Sequence, residues 1–372
     1  MSDTEIAIVL GTRPEIIKLA PVIRACESQD VQYTVIHTGQ HYSEELDAVF
    51  FEQLELPEPD YNLGVGSNSH GVQTAEMLVG IEEILQDEEP ETVLVQGDTN
   101  SVLAGAIATS KLDMELGHVE AGLRSFDRDM PEEINRVVTD HAADYLFAPT
   151  VDSADLIREE GIPEDRIYVT GNTVVDAVEQ HREFAQEKSA ILDELELVPS
   201  EFVLVTAHRA ENVDDEDRFE EILDGIARVA DRFDVDAVYP IHPRAENRLD
   251  EFDISVPDSI RLVEPQDYLD FLNLESNARL ILTDSGGVQE EACILGVPCV
   301  TMRDNTERPE TIDVGANTLA GAETDEIVDS AIEMDGAVCD WTNPFGDGEA
   351  GEQIITEVEQ SETPKELEMT PQ

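Results

Sequence analysis

The sequence predicts two doubly wound α/β domains, and three observations predict them. Short apolar runs rich in Val and Ile alternate with longer helix-like segments, as in parallel sheets covered on both faces. The alternation runs to Ala148 and restarts after Thr170-Gly171-Asn172-Thr173. A chain of 372 residues is long for one core and comfortable for two.

In order, a strand over 6–10 leads to a helix over 15–27, and a strand over 33–38 to a helix over 43–54. A strand over 92–96 leads to a helix over 100–111. A strand over 115–119 then precedes a helix over 132–144 and the short strand 145–148. An acidic helical connector covers 175–195. The second series is strand 202–206, helix 218–232, strands 237–241 and 260–263, and helix 268–275. Strand 280–283, a helix ending near Gly296 and strand 298–302 complete it. No internal repeat is visible in the sequence. The expected domains are 1–170 and 171–350, with a last helix at about 351–359. Ligands of open parallel sheets sit at the strand carboxyl ends, so two such domains facing one cleft predict a GT-B-like architecture.

Composition narrows the function. Asp and Glu total 85 against 22 Lys and Arg, a net charge of −63, and the only lysines are Lys18, Lys111, Lys188 and Lys365. The acid is spread over patterned segments rather than gathered in a tail, which reads as a whole surface made acidic for work in concentrated salt. Nucleic acid and anionic membranes are excluded as partners by repulsion. Cys26, Cys293, Cys299 and Cys339 form no CxxC pair and have no His at ligand spacing, so they read as reduced thiols, with no metal. The acidic N-terminus enters a strand at once, unlike a signal peptide, and no apolar run approaches the roughly 18 residues of a membrane span. The expected compartment is the cytoplasm.

The chemistry-bearing segments follow strand ends. Asp284-Ser285-Gly286-Gly287 opens a helix, where free N–H groups and the positive dipole end suit a diphosphate. One turn on, Glu291 offers two oxygens to a ribose diol. The same segment also fits a tight turn with a capping Ser. Arg13, Lys18, His208 and Arg308 are cations in a chain short of them, suited to phosphate or to surface ion pairs. Asp98, Glu120 and Glu132 are candidate proton handlers. Their plainer readings are a helix cap for Asp98 and Glu132 and a salt bridge for Glu120.

Six segments, in this order, resemble one family. They are Gly11-Thr12-Arg13-Pro14-Glu15, Gln96-Gly97-Asp98-Thr99, and the run from His118 to Arg124 followed by Pro131-Glu132-Glu133-Ile134-Asn135-Arg136. Thr206-Ala207-His208-Arg209 and Thr306-Glu307-Arg308-Pro309-Glu310 complete the set. From about residue 6 to about residue 358 the chain resembles the non-hydrolysing UDP-N-acetylglucosamine 2-epimerases. Each motif alone is weakly specific; six in register are not.

The resemblance implies a GT-B fold whose last helix, within about 351–372, packs back on the first domain. It implies C2 inversion between UDP-N-acetylglucosamine and UDP-N-acetylmannosamine, in a homodimer that feeds surface-glycan synthesis. Oxidation by NAD would call for a GxGxxG turn, which Gly11-Thr12-Arg13-Pro14 is not, so no cofactor is expected. The other route expels UDP while a base removes the C2 proton, and UDP adds back to the resulting glycal. That route needs clamped phosphates, nearby carboxylates and a closed site. By motif, Asp98, Glu120, Glu132 and His208 fall on the family's catalytic positions. Arg13, Lys18, Ser285, Gly286, Gly287, Glu291 and Arg308 fall on nucleotide-contacting positions, and Gln266 and Phe271 near the uracil.

Departures and rivals remain. Gln40-His41 resembles the start of an allosteric segment, but Tyr42-Ser43-Glu44-Glu45 differs from the bacterial pattern, which puts activation by substrate in doubt. Ala207 and Ala210 also differ, with little expected effect. His242-Pro243 fits a structural role as well as a ligand contact, and His37, His70, His118, His141 and His181 are read as structural. The rivals are a GT-B glycosyltransferase, which has no use for a C2 base; a hydrolysing relative; and a non-catalytic nucleotide-sugar sensor.

Overall fold

A computed structural model describes residues 5–40, 44–336 and 339–361. His41-Tyr42-Ser43 and the tail from Glu362, with Lys365, lie outside the described residues. The chain divides into two compact units, one made of Met1–Ala177 with Phe345–Gln372 and the other of Val178–Pro344.

The first unit begins β1 (Ile6–Leu10), α1 (Arg13–Gln29), β2 (Tyr33–His37), α2 (Glu44–Gln53), β3 (Tyr61–Asn62) and α3 (His70–Glu88). It continues β4 (Thr92–Gln96), α4 (Asn100–Thr109), β5 (Glu115–Val119), α5 (Pro131–Ala142), β6 (Tyr145–Ala148), α6 (Val151–Glu159) and β7 (Ile167–Val169). Among the described residues these strands form one seven-stranded sheet in the order β3-β2-β1-β4-β5-β6-β7, parallel throughout. β1 and β4 are buried along their whole length, which is why β1 and the middle of β4 read as apolar runs. The order reverses between β1 and β4, so the loops after them, at Gly11-Thr12 and Gly97-Asp98, flank the switch point where open sheets bind ligands.

α1 starts two residues earlier than the sequence reading because Pro14 sits in its first turn and Thr12 with Glu15 forms a capping box. α7 (Thr173–Lys188) begins in this unit and ends in the other.

The second unit continues with α8 (Ile191–Glu194), β8 (Phe202–Thr206), α9 (Ala210–Val213), α10 (Glu216–Phe233), β9 (Asp236–Pro240) and α11 (Pro243–Phe252). Then come β10 (Ile260–Val263), α12 (Tyr268–Asn277), β11 (Leu280–Thr283), α13 (Gly286–Leu295), β12 (Cys299–Thr301), α14 (Pro309–Asp313), β13 (Asn317–Leu319) and α15 (Thr324–Asp335). Its sheet is parallel in the order β10-β9-β8-β11-β12-β13. This is the strand order of the first six strands of the other sheet, repeated without a repeat in sequence. α10 lays Phe219, Ile222, Leu223, Ile226, Val229 and Ala230 on one buried stripe against the sheet. The switch point lies between β8 and β11, flanked by Ala207-His208 and Asp284-Ser285.

The final helix, α16 (Ala350–Ser361), belongs to the first unit and packs on α1. A Cβ at Gly351 would sit 2.8 Å from the Pro21 carbonyl oxygen, so only glycine allows this approach. The two units together make the GT-B-like α/β fold.

Candidate functional site

In the first unit the candidate carboxylates sit on adjacent strand ends. Glu120 follows β5, is nearly buried, and holds φ 69°, a left-handed conformation that costs a residue with a Cβ about 1–3 kcal/mol. Two contacts fix it there. Lys18 Nζ from α1 lies 2.6 Å from Glu120 Oε1, and the Gln96 side-chain amide donates to Oε2. The sequence reading gave Lys18 to the nucleotide; here it pairs with a candidate acid.

Asp98 follows β4. Its carboxylate pairs with the Arg136 guanidinium, and its carbonyl oxygen accepts from Asn135 Nδ2 at 2.9 Å. It is not the cap of α4; Thr99 is, accepting from Val102 N at 3.5 Å. Of the two acids opening α5, Glu133 is the committed one. It accepts from Ser125 N at 2.9 Å, Ser125 Oγ at 3.0 Å and Phe126 N at 3.0 Å, and pairs with Arg136 at 2.9 Å. Partial burial works to raise its pKa, but those donors and the Arg136 charge outweigh it and hold the carboxyl below the usual range. Glu132, the predicted site acid, is half-exposed in the same first turn.

Glu15 ties the two switch-point loops together. Its buried carboxylate accepts from Gly11 N at 2.6 Å, from Thr12 N at 2.8 Å and from the Thr99 hydroxyl. Burial pushes its pKa up to about 7 in spite of these donors. Arg13 is exposed at the start of α1, its guanidinium 5.4 Å from the Phe50 ring centroid.

In the second unit, Asp284 organises the switch point. Its Oδ2 accepts from His208 N at 2.9 Å, Arg209 N at 2.9 Å and Asn212 Nδ2 at 3.1 Å. Its Oδ1 lies 3.3 Å from His208 Nδ1. Burial lowers the His208 pKa, and with the smaller push of His242, Arg209 and Arg244 it outweighs the opposing pull of Asp284. His208, His242, Gln266, Phe271, Ser285 and Val288 line a pocket of about 220 Å³. His242 does double duty, its Nδ1 accepting from Arg244 N at 3.1 Å at the start of α11.

Ser285 is the N-cap of α13, but its hydroxyl makes no cap bond there. A Cβ at Gly286 would meet nothing nearer than Glu307 Oε2 at 3.8 Å, so protein packing does not demand glycine at this turn. Gly287, which is exposed, follows in the same turn. Glu291 stands beside Glu275, whose fully buried carboxyl is raised well above its usual value by burial and by the Glu291 charge. Burial and the Glu291 charge both favour the protonated form of Glu275. Arg308 caps α14, with Nε 2.7 Å from Glu290 Oε1.

The structure thus gathers Asp98 and Glu120 on neighbouring strand ends of one unit, with Lys18 against Glu120. It gathers His208, Gln266, Phe271 and Ser285 around one pocket of the other. Glu291 and Arg308 do not line that pocket. Sequence reasoning quoted Glu15, Glu133, Arg136 and Asp284 within its segments without giving them a role, and gave none to Glu275. The argument applied to other cations, that arginine in so acidic a chain is informative, points equally to Arg136. Among the described residues no group of three or more His, Cys, Asp or Glu is placed to hold a metal, and no helix is long and apolar enough to cross a membrane.

Comparison with known proteins agrees with this geometry. A family model described as UDP-N-acetylglucosamine 2-epimerase matches residues 24–359. A UDP-N-acetylglucosamine 2-epimerase of Methanocaldococcus jannaschii is 51% identical over 94% of this chain and 98% of its own. A UDP-2,3-diacetamido-2,3-dideoxy-D-glucuronate 2-epimerase of Pseudomonas aeruginosa is 40% identical over 94% of this chain and 98% of its own. The crystal structure of a Methanocaldococcus jannaschii UDP-GlcNAc 2-epimerase in complex with UDP-GlcNAc and UDP superposes with a TM-score of 0.82. It shares 51% identity and covers 96% of this chain and 100% of its own.

Proposed function

The chain belongs to the UDP-N-acetylglucosamine 2-epimerase family, and from that premise we propose that it interconverts UDP-N-acetylglucosamine and UDP-N-acetylmannosamine by eliminating and re-adding UDP. A carboxylate takes the C2 proton, the C2–H electron pair becomes the C1=C2 bond, and the C1–O bond breaks to release UDP. Protonation of the glycal on the other face of C2 and return of the UDP oxygen to C1 complete the inversion. The cycle is redox-neutral and consumes nothing.

Asp98, Glu120 and Glu132 handle the protons in this reading. His208, the Ser285-Gly286-Gly287 turn, Arg13, Lys18 and Arg308 face the charge on the leaving diphosphate. Gln266 and Phe271 take the uracil, and Glu291 the ribose. The observation that carries the reading is the pair of carboxylates on the β4 and β5 ends, one held in a left-handed backbone and each joined to a cation. A transferase, which needs no C2 base, gives no reason for that strain. The relative at 51% acts on the N-acetylglucosamine nucleotide and the one at 40% on a diacetamido uronate, which favours the former sugar.

We extend the reading to a cytoplasmic homodimer supplying surface-glycan synthesis and working in concentrated salt. The net charge of −63 supports the salt requirement. Exposed Val72 and Val79 on α3 and Ile134 and Val138 on α5, two helices that both contact α4, offer an apolar face for a second copy. The test of the chemistry is solvent-deuterium incorporation at C2 in Asp98→Asn and Glu132→Gln. Both should lose it while UDP still binds, and normal incorporation in both removes these acids from the proton steps.

A further inference from the structure

One buried group stands outside the roles above. His118, next to the carboxyl end of β5, is wholly buried, and both of its ring nitrogens are engaged. Nδ1 lies 2.6 Å from Asp140 Oδ1, and Nε2 lies 2.8 Å from the Gly97 carbonyl oxygen. A carboxylate and a carbonyl only accept, so the ring donates at both ends. Asp140 comes from α5 and is equally buried. Its Oδ2 pairs with Arg124 at 2.6 Å and accepts from Gly122 N at 3.2 Å. Burial works to raise the Asp140 carboxyl, but the His118 and Arg124 charges outweigh it and hold it low, so it stays an acceptor. Arg124 is anchored in turn by Glu160, at 2.8 Å and 2.7 Å.

The attachment points matter more than the charges. Gly97 immediately precedes Asp98, and Gly122 lies two residues after Glu120. Both glycines hold positive φ, 83° and 85°. At Gly122 a Cβ would fall 2.4 Å from the Ser153 carbonyl oxygen. The two loops that carry the candidate carboxylates are therefore joined from beneath by one Gly97–His118–Asp140–Gly122 chain of hydrogen bonds. The same helix that supplies Asp140 supplies Asn135, which donates to the Asp98 carbonyl oxygen, and Arg136, which pairs with its carboxylate.

We propose that His118 is a positioning residue for the epimerisation, whose hydrogen bond to the Gly97 carbonyl sets where the Asp98 carboxylate stands relative to Glu120. The inference rests on the function proposed above. Catalytic geometry is unforgiving, and a displacement of about 1 Å costs on the order of a hundredfold in rate.

Two substitutions separate the two ends of the ring. The amide nitrogen of Asn overlays Nδ1 and that of Gln overlays Nε2. His118→Asn keeps a donor for Asp140 and loses the one for Gly97, whereas His118→Gln does the reverse. The experiment measures kcat for epimerisation and UDP affinity in the full chain in multimolar KCl. His118→Asn should lose about 100-fold in kcat, with UDP affinity within about twofold of the unmodified protein. His118→Gln should recover kcat to within about tenfold of it. Equal losses in the two variants, no loss in either, or a parallel fall of kcat and UDP affinity would each overturn the positioning role. An unmodified protein that does not epimerise would instead overturn the function itself.

Discussion

Lys18 Nζ stands 2.6 Å from Glu120 Oε1, and Glu120 holds φ 69° at the end of β5. A nearly buried carboxylate in a left-handed conformation persists only where its surroundings over-determine it. The surroundings include an ammonium from α1 and an amide from Gln96. Lys18→Met removes the ammonium and keeps the Gln96 amide in place. We expect kcat to fall about 100-fold and unfolding free energy to drop by about 1–3 kcal/mol. Steady-state kinetics and denaturant titration read both, and native values would show that the ion pair fixes nothing.

Ser285 tests the phosphate turn. Its hydroxyl is not used in capping α13, so it is available to a ligand. Ser285→Ala should weaken UDP binding at least about tenfold, the worth of one hydrogen bond to a charged phosphate. Calorimetric titration with UDP checks it; an unchanged affinity removes this hydroxyl from the nucleotide site.

Glu15 makes stability depend on pH in a stated direction. Burial raises its pKa from 4.5 to about 7, so the folded state binds this proton more tightly than the unfolded chain. Stability from this group is therefore lost as pH climbs from 4.5 to about 7. At about 1.4 kcal/mol per pKa unit the loss is on the order of a few kcal/mol. Glu15→Gln can accept from the Gly11 and Thr12 N–H groups without titrating. Its unfolding free energy relative to the unmodified protein should rise through that window. A flat difference would mean that the carboxyl is ionised throughout it.

These sites show how far the sequence could be read. The central strands were legible because burial on both faces fills the middles of β1, β4, β8 and β11 with apolar residues, mostly Val, Ile and Leu. The loops after them were legible because strand ends in such sheets carry ligands. Other elements were not. α3, 19 residues long, has few buried positions and a glycine, Gly80, in its interior, so its periodicity is faint. β3, β7 and β13 have two or three residues each, too short for any pattern. In the site, Asp98, Glu120, Lys18 and His208 were marked by position, but which groups pair with which was not. Arg136, Asp284 and Asp140 lie 38, 76 and 22 residues from the groups they hold, and only the fold brings them together.

Salt should decide whether the protein folds. The net charge of −63 is screened over about 3 Å at 1 M salt but about 10 Å at 0.1 M. Lowering KCl toward roughly 0.1 M should unfold the chain or dissociate a dimer. Circular dichroism and light scattering follow both. A folded, active protein at low salt would contradict the halophilic reading.

The central claim is inversion at C2 by elimination and return of UDP. Its most direct test is proton NMR of UDP-N-acetylglucosamine with the pure protein in D2O and multimolar KCl. We predict a new UDP-N-acetylmannosamine anomeric signal, deuterium at C2 and no free sugar. Inversion with protium retained at C2, or release of free N-acetylmannosamine with UDP, would contradict it.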